Sequence, residues 1–103
     1  MAKFKLAVAP TFKAKVGIPV HGGETVELSF EFKHRTRDQL SELMKGIEKR
    51  KDVELMEDVL AGWELDDPFN KESIDLLCQN FVGAPREILG TYITEITQAR
   101  RGN

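Results

Sequence analysis

Cysteine is almost missing: the 103 residues contain a single one, Cys78. One thiol excludes an internal disulfide and any all-cysteine metal knuckle, and makes a reducing compartment the expected one. Only His21 and His34 represent histidine, one in a turn and one at a strand end, with no motif linking either to Cys78. Nucleophilic catalysis therefore has almost nothing to be built from. No stretch approaches the roughly 20 apolar residues a membrane helix requires. The N-terminal apolar run stops at Pro10, with Lys13 and Lys15 soon after, so it is too short and too charged for a signal peptide. Gly22-Gly23 has neither GxGxxG spacing nor a P-loop Lys-Ser/Thr ending. A soluble intracellular protein without cofactor is the expectation.

Net charge is also small, at -2, but it conceals an uneven distribution. Lys3, Lys5, Lys13 and Lys15 open the chain without an acid, whereas Asp52, Glu54, Glu57, Asp58, Glu64, Asp66 and Asp67 follow one another without a base. Such a chain can pair its own ends or offer two differently charged faces to other copies. A nucleic-acid reading would begin at Lys33-His34-Arg35-Thr36-Arg37, yet that run opens a helix whose dipole disfavours cations. Arg35 and Arg37 are better matched to acids, either those between 52 and 67 or those of a second protein. A C₂H₂ pattern and an aromatic-basic RNP motif are both missing.

With 41% hydrophobic residues, the chain is expected to form one domain over 1–103. Phe12, Ala14, Val16, Ile18 and Val20 alternate, and after His21-Gly22-Gly23-Glu24 the alternation resumes with Val26, Leu28, Phe30 and Phe32. This predicts a β-hairpin over 12–33 with one buried face, Pro19 marking an edge or a strand end. Phe4, Leu6 and Val8 make residues 1–10 either a third strand or a loose arm.

Residues 36–101 read as helical. Thr36 and Gln39 have capping-box spacing before the stripe Leu40, Leu43, Met44, Ile47, and Gly46 inside that helix points to close packing. Asp52 is expected to cap a second helix ended by Gly62, and Asn70 a third, with Ser73 as a weak reciprocal partner. Pro85 opens a fourth. Its face of Ile88, Leu89, Tyr92, Ile93, Ile96 and Ala99 is broader than a thin core needs, so Leu89, Tyr92, Ile93 and Ile96 are candidate partner contacts, with Arg35 and Arg37 as charged ones. The whole predicts an α+β fold, a hairpin or small antiparallel sheet packed against about four helices.

The densest stretch is Gly62 to Phe81, GWELDDPFNKESIDLLCQNF. Asp66-Asp67-Pro68-Phe69-Asn70 supplies turn residues and a helix cap, and Trp63 and Phe69 on either side are expected to fold inward and set the angle of this joint. A calcium loop starting at Asp66 would need glycine at position 71 and glutamate at position 77, where the chain has Lys71 and Leu77. Metal binding is not expected, and Cys78 falls on an apolar stripe where packing is its usual role.

The order of these segments carries a resemblance. A hairpin ending in FEFKHRTRDQL, then GWELDDPFNKESIDLLCQNFVGAPREIL, then TYITEITQARRGN, is similar to tail assembly chaperones of bacteriophages with long non-contractile tails, over about Val16 to Asn103. Gly62, Trp63, Leu65, Asp66, Asp67, Phe69 and Asn70 match the family's central motif, and Ala99, Arg100, Gly102 and Asn103 its ending. Phe81-Val82 stands where the family often has Tyr-Pro. The resemblance implies a non-catalytic protein of the host cytoplasm during phage assembly, absent from the mature virion. It would coat the tape measure protein, keep that helical chain soluble and help deliver tail tube protein, with self-association as a further option. Some phages make a longer, frameshifted form. The alternative is a structural tail component retained in the virion.

Overall fold

The computed structural model describes residues 6–98. Phe4, Ala99, Arg100, Gly102 and Asn103 lie outside the described residues. Strands β1 (Thr11–Pro19) and β2 (Thr25–Lys33) pair antiparallel from Thr11 opposite Lys33 to Pro19 opposite Thr25. The turn closes with Val20 N–H donating to the Glu24 carbonyl at 2.9 Å. Gly22 (φ 94°) and Gly23 (φ 80°) take the left-handed backbone there, which glycine adopts without a Cβ penalty. Alternation puts Val16, Ile18, Phe30 and Phe32 in the core. Lys13, Lys15 and Glu27 stand exposed on the other face.

A third strand does exist, but it comes from β3 (Leu60–Trp63), giving the order β1-β2-β3. Leu6 and Val8 form no strand and are exposed. The expected second helix therefore ends early: α2 (Asp52–Val59) runs directly into β3, and Gly62 sits opposite Glu31 in the sheet instead of capping a helix. Leu60-Ala61-Gly62-Trp63 is short and all apolar or glycine, so its periodicity cannot separate strand from helix end.

Two cap assignments also change. Lys51 is the N-cap of α2 with no side-chain bond, and Asp52 is its first residue, placed to favour the dipole. Helix α1 (Arg37–Lys45) ends at Gly46 as its C-cap, followed by a 3-10 turn over Ile47–Lys49. Nothing lies within 4 Å of where a Gly46 Cβ would stand, so close packing is not its reason. The capping box itself forms as the spacing predicts, with Gln39 N–H on Thr36 Oγ1 at 3.2 Å and Thr36 N–H on Gln39 Oε1 at 2.9 Å.

Helices α3 (Lys71–Asn80) and α4 (Ala84–Gln98) complete the fold, which is α+β. Asn70 Oδ1 accepts from Ser73 N–H at 2.8 Å and caps α3. Asn70→Ala is expected to cost about 1 kcal/mol, measurable as a lowered urea midpoint with an unchanged slope; an unaltered midpoint would show that the packing of α3 makes its cap redundant. Helix α4 packs on β1 and on α2, while α3 packs on α2. Tyr92 on α4 stacks with Phe32 and Phe12 at centroid distances of 5.5 and 6.1 Å, forming the aromatic centre of the core.

Candidate functional site

The joint between sheet and helices is built on Trp63. Its indole N–H donates to the Asp67 carbonyl at 2.9 Å, closing the Asp66-Asp67-Pro68 turn on itself. Its ring meets Phe30 edge-on at 6.3 Å from within the sheet and Phe69 edge-on at 5.1 Å from the turn. Only half of the inward expectation holds. Trp63 packs against the core, but Phe69 remains exposed, edge-on to Trp63 and lining a groove with Leu60 and Ile74. The reason is positional, because β3 carries Trp63 into the sheet while Phe69 follows the turn out to the start of α3. Asp66 and Asp67 are exposed, and no group of three or more His, Cys, Asp or Glu among the described residues is arranged to hold a metal.

Cys78 is half-buried on α3 and its thiol pKa is pushed up to about 11, first by burial and then by the negative charges of Asp52 and Asp75. A raised thiol pKa makes thiolate scarce at neutral pH, the opposite of what a nucleophile needs. Alkylation by iodoacetamide at pH 8 should therefore run tens of times slower than for an unperturbed thiol, rising with pH toward 11. A rate equal to that of the denatured chain would contradict this burial.

Three of the acids between 52 and 67, Glu54, Asp58 and Glu64, pair with bases of the same chain. Lys13 meets Glu64 at 3.5 Å across the sheet, and Arg50 pairs with Asp58 and with Glu54. The Arg50 pKa is raised, chiefly by its hydrogen bond to Asp58. Arg35 has a different partner from the one expected. It donates to the Tyr92 hydroxyl at 3.1 Å, tying the β2–α1 connection to α4. Arg37 is exposed at the start of α1.

Tyr92 itself is fully buried, so it is a core residue and not an exposed partner contact. The face expected to exceed the core's need is wide because α4 lies between two neighbours, β1 and α2, and must be apolar toward both. Ala84, Ile88 and Tyr92 are buried completely, whereas Leu89, Ile93 and Ile96 form a half-buried row at i, i+4, i+7. Beside that row, Leu89 shares a groove with Leu55 of α2 and with Val82, which is 84% exposed.

A second apolar groove escaped the periodicity argument. It runs between the sheet and α3, with Leu28, Trp63, Leu65, Leu76 and Phe81 along it, Asp67 on the rim and a volume of about 180 Å³. Leu76 was the available signal. It is 57% exposed and lies out of phase with the stripe of Ile74, Leu77, Cys78 and Phe81, so its apolar character serves no core.

The surface thus carries apolar grooves and a thiol that burial keeps protonated at neutral pH. A family model described as phage tail assembly chaperone matches residues 1–103, the whole chain. The chain belongs to that family. Comparison of this tail assembly chaperone with curated proteins and with solved structures returns no match. Its family role is assembly through protein partners, and no helix among its described residues is long and apolar enough to cross a membrane.

Proposed function

We propose that this chaperone holds the tape measure protein in a soluble form in the host cytoplasm and releases it, without catalysis, as tail tube protein polymerises around it. The observation that carries this reading is the family match over residues 1–103. The surface best suited to the client is the α4 row. Leu89, Ile93 and Ile96 offer apolar area at helical spacing, and Val82 extends it beyond the body of the protein. A long helical client can lay its own apolar stripe against such a row. Half-buried residues already ordered by the core also lose little side-chain entropy on binding. The affinity is expected to be moderate, which release requires.

A chaperone leaves the particle and a structural component stays. Mass spectrometry of purified phage is expected to find tail tube protein and no stoichiometric amount of this chain. Its presence at tail-subunit stoichiometry would replace this reading with that of a retained component.

A further inference from the structure

Gly83 stands in the turn between α3 and α4, directly after Val82. A Cβ at this position would lie 3.2 Å from Pro19 Cγ and 3.8 Å from Pro19 Cβ and Cδ. Its backbone is not left-handed, unlike that of Gly22 and Gly23, so glycine is required here by close approach and not by conformation. Two carbons are at their best separation at about 3.5–4.0 Å. A methyl group on residue 83 would therefore force either the hairpin or the turn to move.

Pro19 is the side that gives least. Its ring has little freedom to turn aside, it ends β1 opposite Thr25, and the next residue closes the hairpin through Val20 N–H on the Glu24 carbonyl at 2.9 Å. The turn is held at both of its own ends. Phe81 N–H donates to the Leu77 carbonyl and Ala84 N–H to the Phe81 carbonyl, each at 2.9 Å. Ala84 is completely buried and Pro85 beside it is buried, so the start of α4 has no room to absorb a displacement. Val82 has that room, being 84% exposed. It also forms one wall of the groove it shares with Leu55, Met56 and Leu89, which Pro19 does not line.

We infer that Gly83 and Pro19 are positioning residues of the client surface. The closed end of the hairpin is the seat on which the α3–α4 turn rests, and a glycine against Pro19 keeps Val82 in line with the α4 row. This rests on the reading of that row as the client surface, and adds that a sheet residue outside the groove sets its geometry. An apolar client stripe gains its full contact only where Val82 and Leu89 meet it together.

Tagged variants of the chaperone, co-produced with the tape measure protein, test the inference. Gly83→Ala should lower recovery of the tape measure protein about threefold and Gly83→Val about tenfold. Pro19→Ala, which takes away Cγ and Cδ, should change recovery little by itself and restore most of what Gly83→Ala loses. Restoration separates positioning from a general loss of stability, since two independent destabilising changes would add. Urea midpoints measured alongside show that each variant folds, and Gly83→Ala keeps the test valid if Gly83→Val does not. Recovery that Val82→Asp lowers but Gly83→Ala leaves unchanged, or a double variant no better than Gly83→Ala alone, would overturn this inference and leave the client surface standing. Recovery indifferent to Val82→Asp as well would overturn both.

Discussion

Val82→Asp is expected to reduce recovery of the tape measure protein with the tagged chaperone by about tenfold, with no change in thermal stability. Val82 is 84% exposed in the α3–α4 turn and packs little within the chain, so its replacement tests the surface and not the fold. A carboxylate at that position would have to be desolvated against an apolar client stripe, which adds a repulsive term to the lost contact. Leu89→Ser should act in the same direction while also lowering stability somewhat, because Leu89 is half-buried against the core. Undiminished recovery by both variants would remove α4 and its preceding turn from the client surface.

Phe32→Ala should cause the largest loss of stability in the molecule. Phe32 is 0% exposed and touches both Phe12 and Tyr92 at centroid distances of 5.5 Å, so its removal leaves a cavity between the sheet and α4. Such truncations cost about 3–5 kcal/mol, against a total of about 5–15 kcal/mol for an ordinary domain. The Tm should fall by about 12 °C or more. Phe69→Ala provides the contrast, at about 1 kcal/mol, since Phe69 contributes mainly one edge-on contact with Trp63. Equal losses at both positions would mean that the aromatic stack is not the centre of the core.

The difference between these two phenylalanines marks where sequence reasoning stopped. Both were legible as apolar residues beside turn or strand signals, but only period-two alternation assigns a face, and Phe32 has that while Phe69 lies in a turn. The hairpin, the Thr36 capping box and the Asn70 cap were readable because each depends on contacts between near neighbours in sequence. β3 was not, since a four-residue strand is defined by its distant partner, with Phe30 opposite Trp63 and Glu31 opposite Gly62. Missing β3 also hid the second groove, which needs Trp63 in the sheet to bring Leu28 near Leu76. Tyr92 was misplaced for a related reason. One helix stripe does not reveal that α4 has two neighbours, so a residue serving the core looked like surplus surface.

The family assignment rests on the whole chain, the proposed client follows from that family, and only the proposed docking face on α4 rests on surface chemistry. The most direct test is to produce the tape measure protein with and without this chaperone and measure the fraction that stays in solution after centrifugation. The account predicts that co-production moves the tape measure protein from the pellet into a soluble complex that co-purifies with the chaperone, and that Val82→Asp reverses the effect. A tape measure protein equally insoluble in the presence of the folded chaperone, or equally soluble in its absence, would contradict it.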